Sequence, residues 1–460
     1  MNRPLSPIAR PGAEQIARIA GFALDRDLAV PEPVMRHAAT LLIDTLGVAA
    51  GATRLKVGRI ARDFAVDFHG AGAGRYAAPM LFDGRVVSMP GAAWALATQI
   101  DNLDGHDGYY PTKGHIGCAV VPALFAYAER HPELTGPQAL RAMVMAYEVA
   151  TRAAVALHGT VSDYHTSGAW NGLGVAALGC HLENAGTEVL RHALGIAEYH
   201  GPRSQMMREI DNPTMLHDGS GMGALVGVNA ALLAMRGFTG APAITAEAPE
   251  VAVYWDDLGA EWTVAENYIK PYPSCRWGHP AVDAMRKLRE EHGLTAEQVA
   301  AVEVRTFDEA ARLYAGMPET TTQAQYSLHY VVAVMLQHGT LAPRHVADEG
   351  LDDPDVAAII PRITAVATDK HNARFPAARW SDIEVTLRDG RKLTSGDVPA
   401  SGGPGAWRTD AEVEAKFHDF CEGVLSPARI RAIWAMRDAM LDDTVTLAEL
   451  ARLVTPEGDA

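Results

Sequence analysis

Apolar positions recur three and four residues apart through most of the first half of the chain, the spacing of one buried helix face. This pattern predicts helices over 11–24, 31–50, 90–101, 120–130, 136–157, 168–184, 187–199 and 221–236. Gly237 follows the last of them, where a helix C-cap belongs. Many of these segments are rich in Ala and Gly, so a tight bundle is expected. Strand signals are few here, with an isolated candidate at 84–88. The texture changes after about residue 265. Residues 299–307 (VAAVEVRTF) alternate as a half-buried strand does, and 363–368 is a second short candidate. Two further alternating runs, 382–388 and 391–394, flank Asp389-Gly390, a hairpin signal because Gly reaches the positive φ of the tight turn. Helices are predicted among these strands at 279–292 and 324–337. Three more, at 410–423, 427–441 and 447–454, follow a Gly-rich loop at 401–405. The expected fold is mainly α: a large all-helical domain from 1–265 and 404–460, with a smaller α+β lid domain, 266–403, inserted in it.

Composition narrows the partners. The 460 residues are 48% hydrophobic and 21% charged, enough apolar surface to offset chain entropy, so disorder is excluded as the main state. Lys and Arg total 40 against 56 Asp and Glu, a net charge of −16. Such a chain repels phosphate backbones, and no nucleic-acid partner is expected. Cys118, Cys180, Cys275 and Cys421 lie far apart with no CxxC, the usage of reduced, buried thiols. Residues 1–12 hold Arg3 and Arg10 but no apolar run, so no signal peptide is expected. The apolar stretch near 117–128 is too short for a bilayer and contains Pro122. A cytoplasmic location without a membrane partner is the expectation.

Five segments could carry chemistry. The first runs from Asp101-Asn102-Leu103-Asp104-Gly105-His106-Asp107 through Tyr109 and Tyr110 to Lys113-Gly114-His115. It is a polar loop between two apolar helices. Its Asp spacing does not match an EF-hand, and its two His lack the partners of a zinc site. The second is Tyr164-His165-Thr166, where a His at a helix start is more often structural than catalytic. The third, Thr214-Met215-Leu216-His217-Asp218, enters a Gly-rich helix, with Asp218 or Ser220 as N-cap candidates. The fourth is Lys270-Pro271-Tyr272-Pro273-Ser274-Cys275-Arg276-Trp277-Gly278-His279-Pro280. Here Lys270, Arg276 and His279 can converge near a helix N-terminus, a favourable place for an anion, while Cys275 reads as a packed thiol. The fifth opens the apolar helix at 324–337, where Tyr330 reads equally as a core residue with a satisfied hydroxyl.

Taken together these segments resemble the MmgE/PrpD family, the group containing 2-methylcitrate dehydratase, cis-aconitate decarboxylase and iminodisuccinate epimerase. The resemblance is carried by KPYPSCRWGHPAVDA at 270–284, LHDGSGMGALVGVNAALLAMRGFTG at 216–240, AQYSLHYVVAVML at 324–336 and DNLDGH at 101–106. It implies a helical domain plus an α+β lid, a homodimer, and no metal or organic cofactor. Residue by residue it implies catalytic roles for Asp101, His115, His165, Lys270 and Tyr330 in a pocket between the domains, with Asp104 closing the Asp-rich turn. His106, Lys113, His217, Arg276 and His279 complete the expected substrate contacts. Two positions depart from the common pattern. Gly105 stands where many relatives have Thr, and Thr214 where many have Lys; Lys113 is expected to supply a replacement charge.

The reactions of such a family develop carbanion-like charge beside a carboxylate, which calls for a base and fixed positive groups. The expected activity is a metal-independent lyase, a hydro-lyase first, acting on a small polycarboxylate or related acid by proton abstraction next to a carboxylate. An isomerase or epimerase of a similar acid is the second reading and a decarboxylase the third. A non-catalytic carboxylate-binding protein comes last. Hinges are expected at the two crossings between domains, 267–272 and 401–405.

Overall fold

The computed structural model describes residues 12–403 and 405–456. The N-terminal residues Arg3 and Arg10, the start of the 11–24 helix and Pro404 of the second crossing lie outside the described residues. The chain is mainly α-helical, with a small sheet in its C-terminal part.

Fully apolar helices sit at the centre because they have no polar face to show water. Gly117–Ala128 is buried along its whole length, and so is Asn171–Leu182. Asn171–Leu182 packs between Gly136–Thr160 and Ser220–Ala234. Small residues set that spacing. A Cβ on Gly174 would lie 2.3 Å from the Ala146 carbonyl oxygen, and one on Gly227 would lie 2.6 Å from that of Gly172. Met89–Asp101 packs on the same core, capped by the Ser88 hydroxyl, which accepts the Gly91 amide at 3.3 Å. This helix ends at Asp101 and so delivers the Asp-rich turn. An amphipathic helix absent from the sequence reading, Lys56–Phe68, also packs here; Val57, Ile60, Ala61, Phe64, Ala65 and Phe68 do follow a helical period, though Ile60, Phe64 and Phe68 stay exposed. The isolated strand signal is real: Val86–Ser88 pairs antiparallel with Ala77–Pro79.

The main sheet lies between the helical stretches. Val299–Thr306 is flanked by Ile363–Ala367, parallel to it, and by Trp380–Leu387, antiparallel. Lys392–Thr394 pairs the outer side of Trp380–Leu387, and the Asp389-Gly390 turn closes this hairpin with Gly390 at φ 88°. The helix His279–His292 lies on Trp380–Leu387 and on Leu328–His338. The helix expected over 324–337 is two helices, Thr321–Gln325 and Leu328–His338. Ser327 breaks it by capping the second one, its hydroxyl accepting the Tyr330 amide at 3.1 Å.

The Asp-rich loop is clamped from distant parts of the chain. Gly108–Tyr109 pairs antiparallel with Asn267–Tyr268, so the first crossing is itself a strand. Asn267 donates to the Asp107 carboxylate at 2.7 Å, Gln325 donates to the Asn102 carbonyl at 2.9 Å, and Lys416 donates to the Gly105 carbonyl at 2.8 Å. Gly105 is the one residue type that fits there. A Cβ at that position would lie 2.6 Å from the Phe420 ring, so Phe420 occupies the space that a Thr side chain would need. Thr214, at the other departure, is exposed on its loop.

Candidate active site

A narrow cavity with about 40 Å3 of free space lies where the Asp-rich loop, the KPYPSCRWG segment and the sheet edge meet. By the measure of roughly 10–15 Å3 per water this is room for a few waters. Its walls include Asp104, Tyr110, Lys113, His115, Tyr164, Asp218, Tyr268, Lys270, Cys275, Arg276, Tyr326 and Arg379.

Lys270 is buried and donates to both the carboxylate and the carbonyl of Asp104, the latter at 3.1 Å. Asp104 accepts it from a left-handed conformation, φ 55°, that the clamps described above hold in place. Burial works against the ammonium, but the charge and hydrogen bond of Asp104, together with Tyr268, outweigh it and the Lys270 pKa is raised, so this residue stays cationic.

His115 Nδ1 lies 2.7 Å from the Asp107 carbonyl, which only accepts, so Nδ1 carries the proton. Its Nε2 then faces Asp218 Oδ2 at 3.3 Å. Burial lowers the His115 pKa, Lys270 adding to the effect and Asp218 opposing it. Burial raises the Asp218 carboxyl, with His115 opposing. The two therefore act as one site that takes up or releases a single proton. A second pair meets the same space through its tyrosine. Tyr326 donates to the carboxylate of Glu209, whose pKa burial holds well above the usual carboxylate range. His217 lies beside it, Nδ1 4.0 Å from Glu209 and its ring 5.9 Å from the Tyr326 ring, with burial lowering its pKa to about 4.

Of the residues expected from the sequence, Asp104, Lys113, His115, Lys270 and Arg276 line the cavity. Asp101, His106 and His217 are buried behind it. Asp101 accepts the Ser220 amide at 2.9 Å, and His106 packs edge-to-face on His115 with ring centroids 4.4 Å apart. Three expected residues sit elsewhere. His165 stacks on His158 at 6.5 Å, and its neighbour Tyr164 reaches the cavity instead. His279 is taken up by the Ser274 carbonyl at 3.0 Å and the Tyr272 ring at 5.2 Å. Tyr330 donates to the His345 and Gly350 carbonyls at 2.6 and 3.0 Å, away from the cavity. The tyrosine of that segment that does face the cavity is Tyr326, four residues earlier and at the helix break. Asp218, a candidate N-cap from sequence, leaves capping to the backbone of Gly219 and turns to His115. Arg379 and Glu209 carried no sequence signal, each being a single charged residue in an unremarked loop or short helix.

Two donor groups of metal-ligand type gather behind the cavity, Asp101 with His106 and Cys118, and Asp104 with His106 and His115. In the second, the Asp104 oxygen is held by the Lys270 ammonium and His115 Nε2 faces Asp218, so a dication there would meet a fixed positive charge. In the first, burial keeps the Cys118 thiol well above its usual range. Cys275 in the cavity wall is likewise pushed up by burial, to about 12, and is no thiolate nucleophile.

Comparison with known proteins identifies the family. Residues 17–252 match the model of the MmgE/PrpD N-terminal domain, and residues 272–441 that of the MmgE/PrpD C-terminal domain. A 2-methylcitrate dehydratase, mitochondrial, from Yarrowia lipolytica is 27% identical over 192 residues, covering 37% of this chain and 36% of that protein. The match thus spans about a third of the relative's length. Among the described residues no single helix is long and apolar enough to cross a membrane.

Proposed function

The chain belongs to the MmgE/PrpD family, and from that premise we propose that it is a lyase, in the first instance a hydro-lyase, acting on a small polycarboxylate without a metal. The observation that carries this reading is the buried Lys270 ammonium, fixed on Asp104, beside the proton-sharing pair His115–Asp218. The pair in its unprotonated state takes the proton from the carbon next to a carboxylate. Lys270 stabilises the enolate-like charge that builds on that carboxylate, a role in which one positioned group supplies about 3–4 kcal/mol. The Tyr326–Glu209 pair, kept protonated by burial, gives a proton to the leaving hydroxide, which departs as water. The product is the unsaturated acid.

The same two pairs also suit an epimerase, which would abstract a proton with one and return it with the other. Proton NMR of di- and tricarboxylates incubated with the protein in heavy water separates the readings. New vinyl signals are expected, and they persist after dialysis against a chelator. Deuterium incorporation without net conversion would replace the lyase by the epimerase. Loss of turnover restored by one particular metal would end the metal-free mechanism.

A further inference from the structure

We infer that Arg379 and Lys113 form a second anion subsite in this cavity, one that holds a substrate carboxylate other than the one at Lys270. This deepens the proposed function and rests on it for the identity of the ligand as a substrate.

Arg379 is only 4% exposed, yet its Nε and Nη1 are buried without a hydrogen-bond partner. Its guanidinium lies over the Tyr110 ring at 4.4 Å and near the Phe375 ring at 5.8 Å. Those aromatic faces hold the planar group in one orientation while leaving its edge free, and the edge is where it donates. Lys113 shares the same part of the wall, its ammonium 5.1 Å over the Tyr164 ring. The Tyr164 hydroxyl donates to the Lys113 carbonyl and so fixes the backbone that carries the lysine. Neither cation has a carboxylate partner among the described residues. Arg276, the third cation of the wall, is different in that its Nη1 and Nη2 donate to the Ser401 and Ala400 carbonyls, at 2.5 and 3.2 Å, which leaves only its Nε without a partner.

Two like charges set together in a mostly buried space are costly unless an anion lies between them. The cost is visible in Lys113, whose pKa is lowered first by burial and then by the Arg379 charge. A carboxylate meets both demands, because its two oxygens match the fork of a guanidinium and its charge offsets the pair. The same pair supplies cationic recognition in a chain that has Gly105 and Thr214 at the two departures. Lys270 is already paired with Asp104, so the Arg379–Lys113 end is the one that calls for an anion, and an acid with two carboxylates fills it while its other carboxylate approaches Lys270. The subsite therefore selects acids with at least two carboxylates.

Calorimetric binding of succinate and of butyrate tests this, since butyrate has a methyl group where succinate has its second carboxylate. Wild-type protein is expected to bind succinate about tenfold or more tighter than butyrate. Arg379→Gln and Lys113→Met should each remove most of that preference. Arg379→Lys, which keeps the charge and loses the fork, should fall between. Equal weakening of both acids in folded variants, or an unchanged preference for succinate, would overturn the subsite; so would tighter Arg379-dependent binding of inorganic phosphate than of succinate. No succinate binding to the wild type up to about 10 mM would overturn it too. Lys113→Met carries the test if Arg379→Gln does not fold, because Lys113 is half-buried and spends no side-chain hydrogen bond. Binding needs no turnover, so the two proposals fail separately. Arg379-dependent succinate binding with no turnover in heavy water would sink the lyase and keep the subsite. Wild-type turnover of a dicarboxylate by Arg379→Gln would do the reverse.

Discussion

At His115 the charge that opposes burial stands 103 positions further along the chain, because Asp218 is the carboxylate that Nε2 faces. Burial pulls His115 below its ordinary 6.5 and pushes Asp218 above its ordinary 3.8. Falling pH protonates the pair and removes the base, and kcat/KM is expected to drop on the acid side. Asp218→Asn takes away the charge that favours the imidazolium, which lowers the His115 pKa further. A pH–rate profile should show the acid limb of this variant moved to lower pH; a limb that stays in place would separate Asp218 from the base. The two tyrosines of the lid segment give a second test at this scale. Tyr326→Phe deletes the donor to Glu209 in the cavity and should cost about 10²-fold or more in kcat/KM. Tyr330→Phe deletes bonds to two buried carbonyls and should cost about 1–3 kcal/mol of stability with kcat/KM unchanged. Kinetics and denaturant unfolding of the two variants read out both effects. The sequence shows both tyrosines and even the plain alternative for Tyr330, a satisfied core hydroxyl. Which one faces the cavity depends on the turn at Ser327.

Among the elements, the decisive feature is the break between Thr321–Gln325 and Leu328–His338. Hydrophobic periodicity runs across it, since a short capped break shifts the phase of the pattern by little. The cap releases Gln325 to bond the Asn102 carbonyl and Tyr326 to reach Glu209, so it joins the lid segment to the Asp-rich loop. The C-terminal helix Asp410–Cys421 acts on the same loop from the other side. Its Lys416 bridges Asp44 and the Gly105 carbonyl, and its Phe420 covers Gly105. Introducing the side chain that many relatives carry there should therefore be disruptive. Gly105→Thr is expected to destabilise the protein by about 1–3 kcal/mol through overpacking against Phe420. In the double variant with Phe420→Leu part of that loss should return, measured as the midpoint of denaturant unfolding. An additive double variant would show that Phe420 is not what excludes the Thr.

Across the whole molecule, the site is assembled from segments that are remote in sequence. Lys270 and Arg379 come from either end of the segment that contains the sheet, and Asp104 and His115 from the helical bundle. The crossing at Asn267–Tyr268 is a paired strand whose Asn267 bonds Asp107, so it couples the two sides. With only about 40 Å3 free, the polycarboxylate proposed above would require these walls to move before they enclose it. Hydrogen exchange with and without tricarballylate is expected to show protection at 108–115 and 268–277 together. Protection confined to one of these two stretches would separate the loop from the KPYPSCRWG segment as parts of one site.

The chain pattern by itself determined the helices, the hairpin at Asp389-Gly390 and the place of the sheet after residue 265, because each rests on local period and turn chemistry. Motif wording determined the family and put Asp104, Lys113, His115, Lys270 and Arg276 among the candidates. It could not rank them against His165, His279 and Tyr330, which have the same residue types in equally suggestive loops. Only the tertiary structure shows which of them line the cavity. A His or Tyr becomes an acid or base through what stands within about 4 Å of it and through its loss of water. Those neighbours, Asp218 for His115, Asp104 for Lys270 and Glu209 for Tyr326, are more than a hundred residues away, where no local period reaches.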